Sequence, residues 1–98
     1  MPTIAELIQD VRDKETALNS AAMDRMTANS NWALALFNYN ASLTAYEENP
    51  NETTASAVLS YNSALTSAET ADIAAQAAYE TARSNLALSR AALVAALE

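Results

Sequence analysis

The chain has 98 residues, a formal net charge of −7, and no glycine, cysteine or histidine. Its length suits one small domain, and the missing residue types exclude disulfides, thiol nucleophiles, zinc–thiolate sites and the commonest general base. The negative charge argues against nucleic acid and anionic membrane surfaces as partners. We therefore expect no enzymatic activity, no cofactor and no metal.

The first predicted helix begins within the first few residues and continues to about residue 47. Thr3 followed by Glu6 is a capping box. The stretch beyond it is rich in alanine and leucine, which favours helix. The acidic N-terminal stretch has neither the basic start of a signal peptide nor a long apolar run. We therefore expect no signal peptide and no transmembrane segment, and we expect the protein in a virion or in the cytoplasm.

One strong helix stop interrupts the chain, at Asn49, Pro50, Asn51 and Glu52. A residue before proline avoids the α region, so Asn49 ends the first helix. We expect Asn49 also to cap the second helix, with Pro50 at its first position and Glu52 at its third. These signals predict a turn at about 48–52.

The predicted fold is all-α, a single long antiparallel two-helix hairpin over residues 1–98, with a second helix at about 53–97. It is coiled-coil-like and alanine-rich, and we expect oligomerisation to complete its core. A compact four-helix bundle, broken also at 29–31 and near Asp72, is the alternative. Neither place contains glycine or proline, so the hairpin is the favoured prediction.

Apolar residues recur at steps of three and four in both arms, so each helix is expected to present one stripe to the other. Folding at Pro50 pairs residues whose numbers total about 100 or 101, which places large side chains opposite small ones. The predicted seam comprises Ile4, Ile8, Val11, Glu15, Leu18, Ala22, Arg25, Asn29, Trp32, Leu36, Tyr39 and Leu43 in the first arm, and Val58, Tyr61, Leu65, Ala68, Asp72, Ala75, Tyr79, Ala82, Leu86, Ser89, Leu93 and Ala96 in the second.

The near-repeat YNASLT (39–44) and YNSALT (61–66) places one tyrosine and one leucine on the predicted seam of each arm. We interpret it as the seam signature of two equivalent arms, with chance similarity as the alternative.

Three polar residues of the seam, Arg25, Asn29 and Asp72, are predicted to form a layer. Such a layer selects one pairing of the helices at some cost in stability, so we interpret it as a register lock. A buried polar site with a function of its own is the alternative.

A long neutral stretch lies beside the predicted bend. Residues 26–46 and residues 53–68 contain no charged side chain, and we call these two stretches together the uncharged sleeve. Exposed helices normally carry glutamate and lysine, so a neutral surface indicates packing against other helices. The predicted interface residues are Leu34, Phe37, Asn38, Ala41, Tyr46, Ser56, Ser60, Ser63 and Ser67.

The length and hairpin shape are similar to those of two families of bacterial secretion proteins. One carries a Trp-x-Gly turn, whereas Trp32 here stands in NWALAL without glycine; the other has prolines bracketing its turn, whereas only Pro50 is present here. No function is carried over from either family.

Two functions are consistent with these features. The first is a non-enzymatic structural subunit that self-associates as a dimer or trimer, serves a larger protein assembly, and belongs to a virion or phage-like particle as a capsid decoration, fibre or tail part. The alternative is a bacterial helical-hairpin adaptor or secretion-system protein that binds one partner through the uncharged sleeve.

Overall fold

A computed structural model describes residues 1–98 and shows two helices that together make the chain 93% helical. Helix α1 spans Ile4–Glu48 and helix α2 spans Glu52–Leu97, and there are no strands. The all-α antiparallel hairpin is thus confirmed, and each helix boundary lies within one residue of its prediction. Both helices are continuous where the four-helix alternative needed breaks, so that alternative is wrong.

Helix α1 begins with the predicted capping box. The Thr3 amide donates to Glu6 Oε1 at 3.2 Å, and the Glu6 amide donates to Thr3 Oγ1 at 3.1 Å. Each side chain therefore satisfies an amide that has no partner within the helix.

The cap of helix α2 is Asn51, and the prediction of Asn49 is wrong. The amide of Thr54 donates to Asn51 Oδ1 at 2.9 Å, and the amide of Asn51 donates to Thr54 Oγ1 at 3.1 Å. Asn49 instead ends α1 with its own amide, which donates to the carbonyl of Ala45 at 3.0 Å. Pro50 consequently lies in the turn, and Glu52 is the first residue of α2 and not the third.

Contacts within the hairpin divide it into two compact units. The bend unit comprises Met26–Ala74, and the terminal unit comprises Met1–Arg25 with Ala75–Glu98. Within each unit, α1 and α2 pack against each other along one stripe. The packing is thin because the only buried residues are Ser42, Leu65 and Ser89, and no side chain is fully buried.

The α2 side of the seam agrees with the prediction except at Tyr61 and Ala96, which are exposed. The α1 side agrees in part, since eight of its twelve predicted seam residues are half-buried: Val11, Leu18, Ala22, Arg25, Trp32, Leu36, Tyr39 and Leu43. Ile4, Ile8, Glu15 and Asn29 were predicted in the seam and are exposed. The half-buried or buried stripe instead follows heptad spacing through Leu7, Val11, Lys14, Leu18, Ala21, Arg25, Ala28, Trp32, Ala35, Tyr39 and Ser42.

Small residues explain this choice of face on α1. Ala21, Ala28, Ala35 and Ser42 recur at every seventh position of the observed stripe. Short side chains at such positions let two helix backbones approach closely, and the larger residues beside them then flank the contact. The hydroxyl of Ser42 donates to the carbonyl of Tyr39 at 2.7 Å, so its burial leaves no polar atom unpaired.

Candidate interaction surface

The predicted interface residues of the uncharged sleeve lie on the surface, with one exception. Leu34 and Phe37 expose 59% and 69% of their area, whereas Asn38 is half-buried. The remaining predicted interface residues, Ala41, Tyr46, Ser56, Ser60, Ser63 and Ser67, are all exposed. The sleeve is therefore accessible to a partner along both helices of the bend unit.

Large apolar side chains are exposed on both helices of the bend unit. On α1 these are Met26 and Phe37, with relative exposures of 71% and 69%. On α2 they are Leu59 and Ile73, at 69% and 68%. At 3.6 residues per turn, Phe37 lies roughly opposite the buried stripe of α1, whereas Met26, Leu59 and Ile73 each follow a seam residue and lie about 100° around the helix from it.

The sequence analysis selected the sleeve for its neutrality and did not group these large apolar residues, although Leu59 and Ile73 fall outside its predicted seam. Phe37 was included, but Met26, Leu59 and Ile73 were not among the predicted interface residues. The available signal was an apolar residue directly after a predicted seam residue, about 100° around the helix from it. In a helix without an outer partner, such a position normally carries a polar side chain.

Two threonine hydroxyls of the sleeve donate hydrogen bonds to the backbone of their own helix. Thr44 and Thr66 donate to the carbonyls of Asn40 and Asn62, four residues earlier, at 3.2 and 3.0 Å. The near-repeat thus produces the same local bond twice, although Tyr39 is half-buried and its counterpart Tyr61 is exposed. Because these hydroxyls already have acceptors, covering them costs less desolvation energy than covering free hydroxyls.

An apolar groove lies where the two helices of the bend unit approach the turn. Its volume is about 340 Å³, and its lining residues are Leu43, Tyr46, Ala55, Val58 and Leu59. All five belong to the bend unit, and none is charged. The groove adds apolar area to the same part of the molecule that carries the sleeve.

The bend unit contains no basic residue. Its five charged side chains are all acidic, and three of them, Glu47, Glu48 and Glu52, are exposed beside the turn. All five Lys and Arg residues lie in the terminal unit. The charge of the bend unit therefore concentrates around the turn and the far end of the sleeve, which leaves the sleeve itself neutral.

The three residues of the predicted register lock differ in burial. Asn29 is exposed, because the stripe passes through Ala28 instead. The guanidinium of Arg25 lies over the ring of Tyr79, 4.9 Å from its centroid, and makes no ion pair. Asp72 is half-buried and likewise makes no ion pair.

A polar contact that does join the helices lies in the terminal unit. The hydroxyl of Ser89 donates to Asp10, whose other oxygen accepts from the Lys14 ammonium at 3.2 Å. The Ser89 hydrogen bond, then that of Lys14, lowers the pKa of Asp10 below its ordinary value, because both favour the charged carboxylate. Ser89 was predicted in the seam, but Asp10 was not, since an i,i+4 Asp–Lys pair is typical of a helix surface.

No protein-family model, no curated protein and no solved structure matches this chain. Neither helix contains a stretch long and apolar enough to cross a membrane. No three acidic residues lie close enough together to hold a metal ion.

Proposed function

We propose that this protein is a non-enzymatic structural subunit, a helical hairpin that self-associates and serves as a building element of a larger protein assembly. The more specific proposal is a virion or phage-like particle, with the hairpin as a capsid decoration, fibre or tail part. Two features of the composition support this version. The chain is acidic, and its helices carry many amide and hydroxyl side chains in place of a dense glutamate and lysine surface.

The observation that carries self-association is the surface that the single chain leaves uncovered. Its accessible surface is 6911 Å². The size scaling for compact monomers gives about 5,400 Å² at 10.4 kDa, so the chain exposes roughly 1,500 Å² more. Standard protein–protein interfaces bury about 800 Å² on each partner. The excess is therefore of the size that association covers.

The nature of the uncovered surface supports the same conclusion. Large apolar residues such as Met26, Phe37 and Leu59 expose about two-thirds of their area or more, whereas Leu65 is the only apolar residue classed as buried. Two packed helices bury one stripe each, which supplies little of the free energy that offsets chain entropy. A second layer of helices from other copies would convert these exposed side chains into a core.

Self-association is tested by measuring the mass and the melting of the purified protein. Sedimentation should give a defined multiple of the 10.4 kDa chain mass, and the melting midpoint should rise with protein concentration. A 10.4 kDa species whose midpoint is unchanged over a hundredfold dilution would contradict the proposal and favour the adaptor alternative.

The virion version has a separate test. Genes for capsid and tail proteins should flank the gene for this chain, and the protein should be found by mass spectrometry in purified particles. Neighbouring genes for a secretion system would instead support the adaptor alternative.

A further inference from the structure

We propose that two copies of this chain form a closed dimer in which the bend unit of each copy packs against the terminal unit of the other. The contact joins an apolar surface with acidic ends to a surface that carries the exposed arginines of the chain. This inference rests on the proposed self-association and adds the two surfaces that meet and the number of copies.

In each unit, the residues that directly follow a seam residue lie on one flank. Successive residues of a helix are about 100° apart, so such a residue lies beside the seam and not opposite it. The rotation has the same sense along both helices, and α1 and α2 run in opposite directions. These residues of α1 and α2 therefore face the same side, which we call the bend flank in the bend unit and the terminal flank in the terminal unit.

The bend flank is apolar over most of its length. Met26 and Leu59 lie on it, and both are largely exposed. Leu36 and Leu43 also follow seam residues and are half-buried. Because Leu43 and Leu59 line the apolar groove beside the turn, the groove and the bend flank form one surface.

Acidic side chains lie at both ends of the bend flank. Glu69 directly follows a seam residue of α2. At the turn, Glu47 lies one helical turn after Leu43 and continues the flank on α1. Glu52 lies two turns before Leu59 and continues it on α2. None of the three carboxylates makes an ion pair within the chain, and the bend unit has no basic residue.

The terminal flank carries every exposed basic side chain of the protein. Arg12, Arg83 and Arg90 are exposed, and each directly follows a seam residue. None of them makes an ion pair within the chain. The other two basic residues, Lys14 and Arg25, are half-buried in the seam.

The charges of the flanks determine which surfaces attract each other. Three arginines and two glutamates, Glu15 and Glu80, give the terminal flank a net charge of +1, whereas three glutamates give the bend flank −3. Two bend flanks in contact would bring like charges together, whereas a bend flank and a terminal flank bring opposite charges together. The other side of the terminal unit repels a bend flank, because the residues directly before its seam residues include Asp10, Asp13 and Asp24 and no basic residue.

Apolar side chains on the terminal flank complement those of the bend flank. Ile8 and Val94 directly follow seam residues, and both are exposed. Contact with the bend flank of a second copy covers them together with Met26 and Leu59. Burial of apolar area then supplies the favourable free energy, and the charges select the pairing.

A two-fold axis makes this contact reciprocal. In a two-fold dimer, each contact between a residue of one copy and a residue of the other occurs a second time with the copies exchanged. Both copies then have the bend flank and the terminal flank covered, so association stops at two.

The test reverses the charges of one flank at a time. The bend variant combines Glu47→Arg with Glu69→Arg, and the terminal variant combines Arg83→Glu with Arg90→Glu. All four side chains are exposed, so both variants should keep the helical circular dichroism of the parent protein.

The matched control combines Asp13→Arg with Asp24→Arg. Both positions are exposed, and both lie on the other side of the terminal unit. The control changes the net charge by the same amount as the bend variant, so it separates an effect of the flank from an effect of total charge.

Sedimentation of each protein alone, and of the two variants mixed, decides the pairing. The parent protein and the control should be dimers. Each flank variant alone places like charges in both contacts, so its dissociation constant should be at least about tenfold higher than that of the parent. In an equimolar mixture the reversed flanks of the two variants face each other and the other contact is unchanged, so the mixture should dimerise as tightly as the parent.

Four results would overturn the pairing of flanks while leaving self-association in place. They are a parent protein larger than a dimer, a flank variant that dimerises as tightly as the parent, a mixture no tighter than the variants alone, and a control that dissociates like the bend variant. A monomeric parent protein would contradict self-association as well, so the two failures are distinguishable.

Discussion

Leu65 should be the apolar side chain whose truncation costs most in the bend unit. It is 8% exposed, and it is the only buried apolar residue of the chain. Leu65→Ala removes the equivalent of about three methylene groups at about 0.8 kcal/mol each, or about 2 kcal/mol after allowing for its residual exposure. Any cavity that remains adds to this cost. For a chain of this length, the expected loss in melting temperature is about 10–15 °C.

Leu59→Ala is the matched control on the same helix. Leu59 is 69% exposed in the single chain, so its truncation should cost well under 1 kcal/mol when the protein is diluted enough to be monomeric. Urea denaturation of both variants at low concentration, followed by circular dichroism, measures the difference. Equal losses of stability in the two variants would refute the assignment of Leu65 to the seam and of Leu59 to the outer surface.

Two further predictions concern the turn and the terminal unit. Asn51→Ala should lower the free energy of unfolding by about 1 kcal/mol because it removes the cap of α2, whereas Asn49→Ala should be nearly neutral; thermal melts that rank them in the opposite order would restore Asn49 as the cap. The pKa of Asp10 is lower in the folded chain than in the unfolded one, so its carboxylate stabilises the fold above about pH 3.9, and this contribution is lost as the pH falls through the lower folded value. Urea midpoints measured from pH 6 to pH 2 should therefore fall less steeply for Ser89→Ala than for the parent protein, and identical slopes would contradict the role of the Ser89 hydrogen bond.

The hairpin and the α2 side of its seam were predictable because few signals competed. The only proline within the helical region stands at the bend, and no glycine offers another break. On α1, two staggered stripes share Val11, Leu18, Arg25, Trp32 and Tyr39, and hydrophobicity alone favoured the stripe with more large residues. The structure uses the stripe with small residues at every seventh position, because helix separation depends on side-chain size as well as on hydrophobicity.

The cap and the polar contact were harder to predict for different reasons. Asn49 and Asn51 both suit a helix cap, and the choice depends on which one has a threonine three residues later to complete the reciprocal bonds; Thr54 selects Asn51. The contact between Asp10 and Ser89 joins residues 79 positions apart. Such a pair becomes visible only once the register of the two helices is known to the residue.

The position of the turn also determines the order in which the two units can form during folding. Leu43 and Val58, which line the groove beside the turn, are 15 residues apart, whereas Asp10 and Ser89 are separated by 79. Closing the longer loop first costs roughly 1.5 kcal/mol more in chain entropy. Folding therefore proceeds most easily from the bend unit outward. On that route, substitutions near the turn mainly slow folding, and substitutions in the terminal unit mainly speed unfolding.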